Sequence, residues 1–164
     1  MVGPLAQGYR EVWYYEYEYL LALKALESEF QGKIKCIYID PPYNNRQYAP
    51  NYHVLETISR YDNPDIYGKT GMRPYKDLKS KFCVVKDVVN TFSDLIDKAK
   101  FKHIILSYST EGLMSIEDIE KVLKNYGIEK TLHLTKIPYR RYKHRSGDVK
   151  HDLHELLFYI EKEI

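Results

Sequence analysis

Apolar residues in this chain switch between two rhythms. Over residues 9–30, Leu20, Leu21, Leu23, Leu26 and Phe30 fall near intervals of three and four, the spacing of one helix face. Gln31-Gly32-Lys33 follows, with Gly32 suited to cap the carboxyl end. The rhythm then changes. Residues 34–39 are a continuous β-branched and aromatic run that stops at Asp40-Pro41-Pro42-Tyr43, as a buried strand with an abrupt end would. Residues 44–50 are polar and turn-rich and predict a loop, and 52–60 return to helical spacing. Residues 61–78 carry Pro64, Gly68, Gly71 and Pro74 with little periodicity. They predict a long loop, of a length that is usually functional.

The second half repeats the alternation. Residues 84–98 predict a helix with Val85, Val88, Val89, Phe92, Leu95 and Ile96 on one side. Residues 102–108 predict a second buried strand, followed by the turn Ser109-Thr110-Glu111-Gly112. Ser115 is the expected cap of a helix over 116–126, with Asp118 where a capping box would carry Glu or Gln. Gly127 should end that helix. A third strand is expected over 131–138, a basic loop over 139–150 and a last strand over 153–160. Strands separated by helices imply a parallel α/β sheet. The last two strands have only a loop between them, so they should pair antiparallel. Residues 1–32 form an amino-terminal helical segment in this division, and 33–164 form the α/β unit.

Composition narrows the class. The 164 residues are 44% hydrophobic and 29% charged, as in a soluble globular domain with a real core. The net charge of +2 is too small to argue for nucleic acid by itself. The 17 tyrosines suit wet, partly apolar surfaces, since Tyr offers a flat face and a polar tip. Cys36 sits inside the first strand and reads as a small core residue. With Cys83 it gives neither a disulfide framework nor a zinc site. The six histidines show no metal-ligand spacing, and no apolar run approaches the roughly 18 residues that span a membrane. Residues 1–10 lack a signal pattern, so a reducing cytoplasm is the expected compartment.

The chemistry lies in Asp40-Pro41-Pro42-Tyr43. In open α/β sheets ligands bind at the carboxyl ends of strands. A carboxylate, a rigid turn and an aromatic ring there can hold a flat amine-bearing ring such as adenine. Asp40 can accept one N–H of the exocyclic amine and the Pro41 carbonyl the other. Both pull the nitrogen toward tetrahedral geometry and free its lone pair. The prolines fix φ and remove donors, and Tyr43 can stack on the base. The plainer reading is a strand-ending turn, since Asp and Pro are ordinary turn residues.

The run Tyr38-Ile39-Asp40-Pro41-Pro42-Tyr43-Asn44-Asn45-Arg46-Gln47-Tyr48, with Asn51-Tyr52-His53-Val54-Leu55-Glu56, resembles the catalytic segment of Dam-like (alpha-type) N6-adenine-specific DNA methyltransferases. The resemblance extends to His103–Tyr108 with the turn after it, to Tyr139-Arg140-Arg141-Tyr142-Lys143 and to His154-Glu155-Leu156-Leu157. It implies a partial Rossmann-like methyltransferase sheet of about four strands, mostly parallel with an antiparallel last strand and flanked by helices. It also implies S-adenosylmethionine as methyl donor and adenine in duplex DNA as acceptor, within a restriction-modification system. Asp40, Pro41, Pro42 and Tyr43 would be the catalytic residues. Asp at the first motif position favours adenine over cytosine, whose methyltransferases resemble Ser-Pro-Pro-Tyr there. It also disfavours the Asn-Pro-Pro-Tyr type that acts on protein glutamine.

The family pattern also includes an upstream strand ending in a Gly-rich Phe-x-Gly-x-Gly loop. The 39 residues before Asp40 contain Gly3, Gly8 and Gly32 and no G-x-G. The chain therefore resembles the carboxyl-terminal catalytic half, with donor binding incomplete by itself. An apolar first strand left as an edge invites another chain. A second polypeptide carrying the missing half, self-association through that strand and an inactive remnant binding DNA or protein all remain open. Half of an RNA adenine methyltransferase is a further alternative.

Arg140, Arg141, Lys143 and Arg145, interleaved with Tyr139 and Tyr142, are candidate DNA-backbone contacts, or a solvated hairpin loop. Arg46, Gln47 and Tyr48 could border the base pocket or fill the gap left by an extruded base. They could equally be a hydrogen-bonded loop that fixes Tyr43. Residues 61–78, with Arg73 and Lys76, could touch DNA or form a loop tip. His53 and His103 read as structural. The aromatic run 13–19 reads as a packing face, or as a cover for the first strand.

Overall fold

The computed structural model describes residues 35–139 and 153–164. The helix expected over 9–30 and the basic residues Arg140, Arg141, Lys143 and Arg145 lie outside the described residues. Four strands form one sheet: β1 (Cys36–Ile39), β2 (His103–Ser109), β3 (His133–Pro138) and β4 (His154–Glu161). Their spatial order is β1-β2-β4-β3. β1 pairs parallel with β2, while β4 runs antiparallel to both β2 and β3. Three strands thus point the same way. The last strand is the antiparallel one, inserted between β2 and β3, a placement the sequence did not reveal.

The helices are α1 (Tyr48–Asn51), α2 (His53–Arg60), α3 (Val88–Lys98) and α4 (Ile116–Tyr126). Alternation along the strands sends Ile39, Ile104, Leu106, Tyr108, Leu156, Phe158 and Ile160 to one face. There they meet Val88, Phe92, Leu95 and Ile96 of α3 and Ile119, Val122 and Leu123 of α4 in one buried cluster. Each fully buried side chain of this size contributes about 1.5–3 kcal/mol. Both helices lie on the same face for a topological reason. The crossovers β1–α3–β2 and β2–α4–β3 advance in the same direction across the sheet, and right-handed crossovers then put their helices on one side.

The opposite face is open among the described residues. Tyr38 is 60% exposed, and Ile137 and Leu157 are exposed on the same face. Cys36 is exposed too, which corrects its reading as a core residue. It shares strand parity with Tyr38, on the side without helices. The edge of β1 away from β2 carries no strand among the described residues.

Local chemistry sets the element ends. α3 begins at Val88 rather than at 84. Ser80 caps a short 3-10 turn at Lys81–Cys83, and Val85 is exposed before the helix starts. The capping box of α4 is complete, contrary to expectation. Ser115 Oγ accepts from Asp118 N at 3.0 Å, and Asp118 Oδ2 accepts from Ser115 N at 3.4 Å. Asp reaches because the return bond is long. At the far end of α3, Lys162 Nζ donates to the carbonyls of Ile96, Asp97 and Ala99 at 2.6, 2.6 and 2.9 Å. These groups are normally left over at a helix carboxyl end.

Residues 61–78 are an ordered loop. Tyr67 and Met72 form a β-bridge, Gly68 and Gly71 take positive φ between them, and His53 Nε2 lies 2.7 Å from the Gly71 carbonyl. Arg73 pairs with Asp62 and also bonds Thr57 Oγ1 at 3.3 Å. His53 is thus structural, as expected.

Gly127 closes α4 with φ of −109°, so it is needed for space rather than for a left-handed turn. A Cβ there would come within 2.5 Å of Ile160 Cδ1 and 2.9 Å of the Glu161 carbonyl oxygen. Gly127→Ala should therefore destabilise the fold by about 1–3 kcal/mol, as an overpacked core does. A urea melt measures this, and a midpoint unchanged from wild type would contradict the packing described.

Candidate active site

β1 delivers the motif. Ile39 is anchored in the core, and the chain then leaves the sheet at Asp40, because neither proline that follows can donate to a ladder. Pro41 is buried, Pro42 and Tyr43 are half-buried, and Asp40 stands at the exposed rim. Burial of part of its surroundings nevertheless raises the Asp40 pKa above its ordinary 3.8.

Tyr43 is held from below. Its ring meets that of Tyr108 edge-on, with centroids 6.3 Å apart and planes at 80°, a favoured aromatic geometry. Its carbonyl accepts from Leu113 N at 2.9 Å. The Ser109–Gly112 turn expected from sequence is present, closed by Gly112 N on the Ser109 carbonyl at 2.9 Å.

The segment after Tyr43 is pinned at three points. Asn44 Oδ1 accepts from Arg46 N at 2.9 Å. Gln47 makes a two-way clamp on Ser80, donating to its carbonyl at 3.1 Å and accepting from its N–H at 2.8 Å. Cys83 Sγ donates to the Arg46 carbonyl at 3.2 Å, and burial pushes that thiol up to about 11. Residues 48–50, expected as loop, form the single turn α1 together with Asn51. Pro50 fits there because the first turn needs no N–H from it.

Tyr48 lies close to the motif. Burial raises its pKa, and Tyr43, Tyr52 and Asp40 push it the same way. Its ring leans on that of Tyr52 at 5.2 Å. Arg46 is exposed at the same rim. Asp40, Tyr43 and Tyr48 thus come together in one place, with Arg46 beside them.

Glu155, Tyr139 and Glu111, to which sequence reasoning gave no role of their own at the base pocket, also lie at this rim. Glu155 pairs in register with Ser109, and its pKa is raised by burial and then by Asp40. Tyr139 donates to Glu111 Oε2 at 3.2 Å, and burial raises its pKa also. Only the insertion of β4 beside β2 brings Glu155 to the end of β1, and no local pattern carries that. Tyr139 N donates to the Leu153 carbonyl at 3.0 Å, so both ends of the basic segment start at this rim. No group of three or more His, Cys, Asp or Glu that could hold a metal occurs among the described residues. No helix among them is long and apolar enough to cross a membrane.

This arrangement can hold a planar amine between a carboxylate and a backbone carbonyl, over an aromatic ring. Residues 23–122 match the family model of the D12 class N6 adenine-specific DNA methyltransferase. The chain is 55% identical over 128 residues to the type II methyltransferase M.FokI of Planomicrobium okeanokoites, covering 78% of this chain and 20% of that protein. It is 40% identical over 137 residues to the modification methylase StsI of Streptococcus sanguinis, covering 82% and 21%. It is 45% identical over 107 residues to the type II methyltransferase M.NlaIII of Neisseria lactamica, covering 65% and 30%. The chain thus spans between a fifth and a third of the length of these relatives. It belongs to the D12 class N6 adenine-specific DNA methyltransferase family.

Proposed function

We propose that this chain is the target-base half of an enzyme that methylates N6 of adenine in duplex DNA. The observation that carries the reading is the single rigid turn at the carboxyl end of β1, which offers a carboxylate and a half-buried ring together. An adenine inside a duplex must first leave the stack. Tyr43 then stacks on it, an interaction worth roughly 1–3 kcal/mol. Asp40 accepts one amine hydrogen and the Pro41 carbonyl the other, so the nitrogen lone pair is drawn out of the ring. S-Adenosylmethionine, when bound, supplies an electrophilic methyl group. The proton released by the amine leaves along its hydrogen bond to Asp40. Arg46 and Tyr48 border the extruded base, and Arg140, Arg141, Lys143 and Arg145 contact the phosphate backbone.

The glycines among the described residues do not fit a donor cradle. Gly68 and Gly71 belong to the bridged loop, while Gly112 and Gly127 face space filled by Tyr108 and Ile160. On this reading the donor-binding half is supplied from outside the described residues, in the same polypeptide or in another. Handedness says where it joins. Helices for the open face require crossovers that advance away from β2, beyond the free edge of β1. Strand order would then reverse at β1, and such a switch point is where open α/β sheets bind ligands. A second copy of the chain could pair at the same edge, but it would bring no donor cradle.

Titrating S-adenosylmethionine and assaying methyl transfer, with and without a polypeptide carrying a Gly-rich strand-end loop, tests this reading. Transfer is expected only in the mixture, and its absence from every combination would sink the enzyme reading. Asp40→Ala should abolish transfer. Because the Asp40 pKa is raised, its ionised acceptor form is lost as pH falls through that raised value. The acid limb of the rate profile should accordingly lie above the ordinary aspartate range, and a limb at or below about 3.8 would contradict the shielding of Asp40. The same shift opposes folding, since the ionised carboxylate is less favourable in the folded state. Asp40→Asn should raise the Tm at neutral pH, and the gain should disappear below about pH 3.8, where both states of the wild type are protonated.

A further inference from the structure

Tyr43 can serve as a wall for the base only if its ring is fixed before the base arrives, and one residue outside the motif packs directly against that ring. Tyr108, the penultimate residue of β2, is 1% exposed. Its ring meets Tyr43 edge-on. Its hydroxyl accepts from Leu113 N at 3.1 Å and from Met114 N at 3.2 Å. Leu113 N also donates to the Tyr43 carbonyl at 2.9 Å. One peptide N–H is therefore shared between the backbone of Tyr43 and the hydroxyl of Tyr108.

The turn is shaped around that phenol. A Cβ on Gly112 would overlap Tyr108 Cε1 and come within 2.6 Å of its Cζ. Only glycine lets the backbone fold over the ring closely enough for the next two amides to reach the hydroxyl. Ring, hydroxyl and turn thus form one unit that ends on Tyr43.

We propose that Tyr108 is a positioning residue for the Tyr43 ring, setting its tilt against the extruded base. The inference rests on Tyr43 being the stacking ring. Tyr108 touches no substrate and acts through Tyr43 and Leu113. A hydroxyl loss at Tyr108 leaves the Met114 amide without this acceptor and frees the turn to shift. Misplacement of a positioning group by a fraction of an ångström is enough to slow a reaction that depends on alignment.

The test uses the transfer-competent assembly with two duplexes, one with adenine at the target position for kcat and KM and one with 2-aminopurine there, whose fluorescence rises on extrusion and is quenched by stacking on an aromatic ring. Tyr108→Phe should lower kcat about tenfold, leave KM for the methyl donor unchanged, and leave the bound 2-aminopurine brighter than in wild type. In a Tyr43→Ala background, Tyr108→Phe should cause no further loss, because coupled residues are not additive. A merely structural role would lower the folded fraction but would leave the brightness of the bound base and the coupling untouched. Wild-type kcat and quenching in folded Tyr108→Phe, or fully additive losses, overturn the proposal. If that variant does not fold, 3-fluorotyrosine at position 108 keeps the shape and weakens the acceptor. It should move kcat and brightness in the same directions by a smaller amount, and wild-type values would again overturn the proposal. A wild-type assembly that neither transfers nor quenches 2-aminopurine refutes the reading of the site itself and takes this inference with it.

Discussion

The hydrogen-bond ladders on the two edges of β2 are the constraint on which the rest depends. One edge holds β1 in parallel register from Cys36 opposite His103 to Ile39 opposite Leu106. The other holds β4 antiparallel, with Ser109 opposite Glu155. These two registers decide which residues share the rim. They bring Asp40 from one side and Glu155 from the other to the end of the same strand. A slip of one residue in either ladder would exchange the faces of every side chain on the slipped strand. Buried Ile104, Leu106 and Tyr108 on β2, facing Phe92 and Ile96 of α3 across the core, make such a slip costly.

From this follows a division of labour between faces. The helix-covered face supplies rigidity, and through Tyr108 it reaches up to Tyr43. The uncovered face carries the carboxyl groups of the rim and a free strand edge. Parallel strand pairs are ordinarily buried on both sides, whereas among the described residues this face has no helix over it, and Tyr38 stands exposed on it.

Much of this was legible in the order of residues, for identifiable reasons. The break at Asp40-Pro41-Pro42 was plain because proline forbids a ladder, and Ser115 and Gly127 marked α4 because caps and close approaches leave local signatures. Cys36 was misread because a short apolar run looks the same whether one face or two are buried. Val85 fitted the helical rhythm of α3 yet stands outside the helix, since Ser80 starts a tighter turn first. The place of β4 between β2 and β3, and with it Glu155 at the rim, could not be read locally. It depends on a pairing between segments that sequence rhythm does not connect. The clamp between Gln47 and Ser80, 33 residues apart, was invisible for the same reason.

The bonds from Lys162 to the end of α3 have a consequence for how the chain comes together. The carbonyls of Ile96, Asp97 and Ala99 receive their donor from 66, 65 and 63 residues further along. During synthesis α3 would emerge with its last turn unsatisfied, leaning on water until β4 has been made and the residue after it has folded back. The seam between an early helix and a late strand is thus closed by one ammonium group. It ties the completion of a helix in the middle of the chain to the arrival of a segment near its end.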